Sequence, residues 1–297
     1  KISTKTLIGQ LANPKNPVAI RLAAMKNLES QKLKNFTEIL VKLTADNDLK
    51  VLEATLRALS RIDTNTAFER LQKILTAGKI ANTQVALKLL GVIDHPKSEG
   101  VLLDLLTDLK KQPIALRLDI INASKKRSTP SLKKALTDYQ ASIDKNDPLA
   151  PFEITLAGGN VSNGKNVFFR SGVANCKQCH KVGTRGGEAG PNLLGLGGRH
   201  DTKYILESIV APSAQLSPGY TYIAVSMKDG TVVSGLLMSK TDAEVVVRNP
   251  ETKEDTICKK ADIATVPTAM SSMPPMGAIL KKDQIRDLVA ELYSLKK

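Results

Sequence analysis

The feature that most constrains this chain is an internal repeat in its first half. Leu52-Glu-Ala-Thr-Leu-Arg-Ala-Leu59, Gln84-Val-Ala-Leu-Lys-Leu-Leu-Gly91 and Ile114-Ala-Leu-Arg-Leu-Asp-Ile-Ile121 share one apolar pattern, with a weaker copy at Arg21-Leu-Ala-Ala-Met-Lys-Asn-Leu28. Their starts lie 31, 32 and 30 residues apart. Between them Phe36 to Leu43, Ala67 to Leu75 and Gly100 to Leu109 carry apolar residues at i, i+3, i+4, the spacing of an amphipathic helix. A helix pair recurring at this period buries its apolar face only by stacking on its neighbours. Only 4 of the 19 glycines fall in residues 1–150, which suits helix interiors. The expectation is an α-solenoid over residues 1–146, with Asp48 and Asn82 as N-caps of repeat helices.

The repeating pattern resembles HEAT repeats, in short and degenerate copies. No catalytic constellation occurs in it, and His95, in Val92-Ile-Asp-His-Pro96, reads as a loop histidine. The chain carries 43 Lys+Arg against 29 Asp+Glu, net +14. Residues 1–150 hold 25 and 15 of these, or +10, leaving 18 and 14, or +4, for the rest. The basic runs Lys110-Lys111, Lys125-Lys126-Arg127 and Lys133-Lys134 read as a solvated face or a docking surface for an acidic partner. No apolar run is long enough to span a bilayer. Because the chain begins at Lys1 with no leader pattern, a processed product or an excised fragment is expected. Asp144-Lys-Asn-Asp-Pro-Leu-Ala-Pro151 is rich in turn formers and marks a domain boundary.

Residues 152–297 form the second expected domain, and the composition shifts there: it holds the remaining 15 glycines and all three cysteines. Cys176-Lys-Gln-Cys179-His180 matches C-x-x-C-H, the attachment signature of c-type haem. Two thiols three residues apart on one helical turn can add to the two vinyl groups of a porphyrin, and the adjoining imidazole then falls under the iron. Taken alone, the pattern also admits a redox dithiol or half of a zinc site. A zinc site needs further ligands, and only Cys258 and His200 remain, each isolated.

Further segments give this motif its context. Gly164-Lys-Asn-Val-Phe168-Phe-Arg precedes it, and Gly190-Pro191-Asn192-Leu193-Leu-Gly195-Leu-Gly-Gly-Arg199 follows. Ser271-Ser-Met273-Pro274-Pro275-Met276-Gly277 comes late, ahead of Lys281-Lys-Asp-Gln-Ile-Arg-Asp-Leu288-Val-Ala-Glu-Leu-Tyr293. In order and spacing these resemble class I cytochrome c. The resemblance implies that the Pro191 carbonyl accepts from His180 Nδ1–H, that Arg199 lies near a haem propionate, and that Gly164 and Phe168 pack against the last helix around Leu288 and Tyr293. It also implies axial ligation by His180 and Met273, with Met276 the runner-up, Met270 a distant third and His200 a competing distal ligand.

Between His200 and Met270 lies a stretch that a minimal cytochrome lacks, an insertion at about 218–267. Tyr220 to Ser226, Thr231 to Leu237 and Ala243 to Arg248 read as strands, with an Asp229-Gly230 hairpin and a fourth strand at Thr256 to Lys259. With Pro212-Ser213 and Ser217-Pro218-Gly219-Tyr220, the insertion resembles the haem-binding domain first recognised in planctomycetes and verrucomicrobia, which commonly follows HEAT-like repeats and a dehydrogenase-like propeller. Cys258 alternates with apolar neighbours and reads as a buried thiol.

The expected fold is therefore mainly α: a HEAT-like solenoid, then a class I cytochrome c-type domain carrying a small β insertion. The expected function is electron transfer through one covalent haem c, as an electron-accepting module rather than an enzyme. Attachment by C-x-x-C-H implies a periplasmic or otherwise extracytoplasmic location, which disfavours nucleic acid as the acidic partner. A redox protein with an acidic surface, such as a dehydrogenase domain, is expected instead. Two other readings stay open: a peroxidase-like haem enzyme with a labile sixth ligand, and a solenoid interaction protein whose haem is structural or sensing.

Overall fold

A computed structural model describes residues 2–31, 35–217, 219–266 and 270–297. It divides into two compact units, Lys1–Ile143 and Asp144–Lys297. Among the described residues no helix is long and apolar enough to cross a membrane.

The first unit is built from helices α1 (Thr4–Ala12), α2 (Val18–Ser30), α3 (Phe36–Leu43), α4 (Leu49–Ile62), α5 (Thr64–Thr76), α6 (Ile80–Leu90), α7 (Ser98–Thr107), α8 (Ile114–Arg127) and α9 (Pro130–Ala141). Helix α4 packs on α2, α3, α5 and α6, α6 on α5 and α8, and α8 on α7 and α9. The buried positions recur every 31 residues, so the copy after Leu52 starts at Thr83, one residue before the Gln84 expected from the sequence. Met25, Leu56, Leu87 and Leu118 are all buried, as are Leu28, Leu59, Leu90 and Ile121. Each such side chain contributes about 1.5–3 kcal/mol by leaving water.

Asp48 caps α4, its Oδ1 accepting from the backbone N–H of Lys50 at 2.9 Å and of Val51 at 3.1 Å. Asn82 does not cap α6, contrary to expectation: that helix starts at Ile80, with Lys79 at the cap position and no side-chain cap. Repeat register explains the difference, because α4 begins three residues before Leu52 and α6 three before the equivalent Thr83, which puts Asn82 inside the first turn.

The position of Leu52 and Thr83 is held in the first copy by Arg21, which is only 2% exposed. Its Nε donates to the Leu11 carbonyl at 2.9 Å and its Nη1 to Asp46 Oδ1 at 3.1 Å. His95 is a packed loop residue, its ring stacked on Phe68 at 3.9 Å between centroids.

The second unit opens with a 3-10 turn at Ala150–Thr155, followed by α10 (Val161–Arg170), α11 (Cys176–Cys179), strands β1 (Lys181–Val182) and β2 (Arg185–Gly186), α12 (Leu196–Arg199) and α13 (Thr202–Val210). A sheet of β3 (Thr221–Met227), β4 (Val232–Lys240), β5 (Glu244–Arg248), β6 (Asp255–Lys259), β7 (Ile263–Thr265) and β8 (Met270–Ser271) comes next, and α14 (Lys282–Ser294) closes the unit. Helices α10 and α14 cross with their backbones in contact. A β-carbon on Gly164 would lie 2.0 Å from the Asp287 carbonyl oxygen, and one on Gly159 2.2 Å from that of Arg286. Phe168 and Leu288 are buried beside this crossing. The far end of α14 meets α12, where a β-carbon on Gly197 would lie 2.0 Å from the Tyr293 carbonyl oxygen.

The sheet runs β6-β5-β4-β3-β7, all neighbours antiparallel, and β8 also pairs with β3. Asp229-Gly230 forms its first hairpin: Gly230 takes φ +88°, and Asp229 Oδ1 accepts from the Thr231 N–H at 2.9 Å. Alternation sends Ile223, Val225, Val245, Val247 and Cys258 to one face as a core of their own. Cys258 is 1% exposed and in register with Val245. Pro218 and Pro267, the expected limits of the insertion, lie outside the described residues. Strands β7 and β8 were not expected from the sequence.

Candidate haem site

The site is organised by α11, one helical turn long, which carries Cys176 and Cys179 at its two ends. Asn175 enters it with φ +47°, a conformation that Asn tolerates better than most residues. The His180 N–H donates to the Cys176 carbonyl at 2.9 Å, closing the turn. Both thiols are free of disulfide, Cys176 half-buried and Cys179 exposed. Burial pushes the Cys176 thiol up to about 11.

The chain then folds back over α11. Backbone N–H groups of Gly187, Gly190 and Leu193 donate to the carbonyls of Lys177, Cys179 and Lys181 at 2.9, 2.8 and 2.8 Å. Glycine makes the approach possible. A β-carbon would lie 2.1 Å from the His180 carbonyl oxygen at Gly186 and 1.8 Å from that of Gln178 at Gly187. The result is that the Pro191 carbonyl lies 3.0 Å from His180 Nδ1. A ring N–H donating to that carbonyl fixes the tautomer and leaves Nε2 as the lone-pair nitrogen. Gly186 and Gly187 were missed by reading the sequence, although the density of glycines just after the cysteine motif was a visible signal.

The other expected residues are spread around this core. Arg199 is exposed, and its Nη1 donates to the Leu194 carbonyl at 3.0 Å. His200 stacks on Tyr204, with centroids 3.7 Å apart. Met276 is 3% exposed and belongs to the core formed by α10, α13 and α14, whereas Met273 packs against that core and stays partly open. Met270, in β8, is exposed. Among the described residues no three His, Cys, Asp or Glu side chains converge as a bound metal ion would require, so no further ligand joins the two thiols in a zinc site.

These residues fit a covalently held haem. Two unpaired thiols one turn apart precede an imidazole whose second nitrogen is already engaged. Phe169, Cys176, Val182, Leu193, Leu196 and Met273 pack against the core while remaining partly exposed, which is apolar surface that a flat macrocycle can cover.

Comparison with known proteins agrees with this. Residues 161–248 match the family model described as Cytochrome c. The match runs from α10 to the end of β5, and the Met273 segment and α14 lie beyond it. No curated protein matches the chain. Residues 161–248 thus mark a cytochrome c-type haem-binding domain, which supports an electron-transfer role and implies covalently bound haem c.

Proposed function

We propose that the chain is an electron carrier with one haem c, anchored by Cys176 and Cys179 and ligated by His180 and Met273. The observation that carries this reading is the 3.0 Å contact between His180 Nδ1 and the Pro191 carbonyl, directly after two free thiols on one turn. Met273 is preferred over Met276 because the latter is spent in the core. His200 is occupied with Tyr204.

The bound group supplies a reversible ferric/ferrous couple, its potential raised by thioether ligation relative to bis-His. The protein does the rest. The Pro191 carbonyl holds the imidazole in one tautomer and orientation, the half-buried apolar side chains exclude water, and Arg199 offers a cation to a propionate. A filled sixth position makes the chain a carrier rather than an enzyme.

The sheet after α13 supports a finer kinship with the planctomycete and verrucomicrobial haem-binding domain. The 31-residue recurrence of buried positions from Met25 to Leu118 supports a HEAT-like solenoid for the first unit. With +10 on residues 1–150, that arm docks an acidic redox partner, and the chain serves as the electron-accepting module of a dehydrogenase-like protein or complex. Haem attachment through C-x-x-C-H places its maturation outside the cytoplasm.

The test is a pair of visible spectra, ferric and ferrous, with a potentiometric titration. A thioether-to-iron charge-transfer band in the ferric wild type that vanishes in Met273→Ala is expected. A band that survives in Met273→Ala overturns the ligand assignment, and binding of cyanide with no ligand to displace overturns the carrier reading. Association with an acidic partner should weaken as salt rises.

A further inference from the structure

Strand β8 is two residues long, and it is the last ordered pairing before Met273. Met270 lies opposite Tyr222 of β3 and Ser271 opposite Thr221. The Ser271 N–H donates to Ser213 Oγ at 3.1 Å. Its own hydroxyl oxygen accepts from the Met273 N–H, also at 3.1 Å. Ser213 stands in the turn that leaves α13, a helix whose Ile205, Leu206, Ile209 and Val210 are buried in the domain core. Ser271 is thus held from one side by the sheet and from the other by the end of a core helix, and it transmits both restraints to Met273. Downstream, Pro274 and Pro275 stiffen the chain until Met276 enters the core.

We propose that the inserted sheet clamps the distal-ligand segment, and that Ser271, backed by Ser213, is a positioning residue for Met273. The inference rests on the reading of Met273 as the distal ligand. A thioether is a neutral, weak ligand, so its occupancy depends on how firmly the chain holds it in place. An outside ligand competing for the iron binds with an apparent affinity proportional to the fraction of molecules in which the segment is open. Removing one ordinary hydrogen bond that favours the closed segment raises that fraction about five-fold.

The test titrates the ferric, haem-loaded full chain with imidazole and follows the thioether-to-iron band. Ser271→Ala and Ser213→Ala are each expected to bind imidazole about five-fold more tightly than wild type. Ser271→Thr, which keeps the hydroxyl, should return to the wild-type value. Thr231→Ala, which removes a comparable exposed hydrogen bond at the far hairpin of the same sheet, should not differ from wild type. If Met273→Ala abolishes the band while both serine variants bind imidazole as wild type does, the clamp is wrong and the ligand assignment stands. If the band survives in Met273→Ala, the ligand assignment fails and takes the clamp with it.

Discussion

Gly190 presses its bare α-carbon against the imidazole of His180: a β-carbon there would lie 2.6 Å from Cε1 and 2.8 Å from Nδ1. Neither the ring nor the loop can yield cheaply, because the Gly190 N–H is committed to the Cys179 carbonyl at 2.8 Å and Nδ1 faces the Pro191 carbonyl. Gly190→Ala should therefore destabilise the haem domain by about 1–3 kcal/mol, the usual range for overpacking. Chemical denaturation measures that loss. The same displacement should shift the reduction potential of the haem-loaded protein, whereas Gly172→Ala, at a position with nothing within 4 Å, should change neither.

The α10–α14 crossing gives a second test of close approach. Gly164→Ala must push apart a pair of helices whose backbones touch, so it should lower the stability of the second unit by an amount at the upper end of the overpacking range, about 3 kcal/mol. Chemical denaturation reads the loss as a lower midpoint. The first unit shares no residue with this crossing, and the unfolding of an excised 1–143 fragment supplies the reference transition against which the shift is read.

Acid should act with opposite sign on Asp46 of the first unit and on Asp287 and Glu291 of the second. The Arg21 guanidinium holds the Asp46 carboxyl below its usual value of 3.8. That carboxylate contributes stability in full above its unfolded pKa and loses it as pH falls through the lower folded value. Burial instead pushes Asp287 above 3.8, against hydrogen bonds from Asn160 and Asn163, and Glu291 above 4.5, against the nearby Lys165. Their ionised forms are penalised in the fold, and the penalty is relieved as pH falls from the folded pKa towards the unfolded one. Glu291→Gln should stabilise the second unit at pH 7 and flatten its pH profile. Asp46→Ala, which strands a buried guanidinium, should cost the first unit about 3–5 kcal/mol. Thermal melts at pH 7, about pH 4 and about pH 2 would separate these effects, the Asp287 and Glu291 penalties being relieved over the first interval and the Asp46 contribution lost over the second.

The repeat was legible because burial in the helix pairs is periodic: one apolar position in each copy suffices to find the next. Its register was not, since Asn82 offered a good capping side chain where stacking had already set the helix start two residues earlier. At the candidate site, the placement of Cys176 and Cys179 on one turn with His180 directly after it could be read from the sequence, because the C-x-x-C-H spacing fixes it. The contribution of Gly186 and Gly187 could not, for it depends on a loop returning over α11 to meet carbonyls that sequence does not locate. Strands β7 and β8 escaped notice for a related reason. They are two or three residues long, too short to show alternation, and exist only as partners of β3.

Met273 and Met276 stand three residues apart, yet their truncation should produce opposite phenotypes. Met276 is buried among the side chains of α13 and α14, and its carbonyl accepts from the Leu280 N–H at 2.8 Å in the turn that launches the last helix. Met276→Ala opens a cavity there and should cost about 2–5 kcal/mol, while the spectrum of the molecules that remain folded keeps its thioether-to-iron band. Met273 contributes only partial burial, so in the haem-free chain Met273→Ala should cost less than about 1.5 kcal/mol. In the haem-loaded protein the same change should remove the band and lower the reduction potential, because ferrous iron loses the ligand that favours it. Denaturation of the haem-free variants together with spectra of the loaded ones distinguishes the two residues. A Met273→Ala protein as destabilised as Met276→Ala and spectrally unchanged would contradict the division of labour between ligand and core.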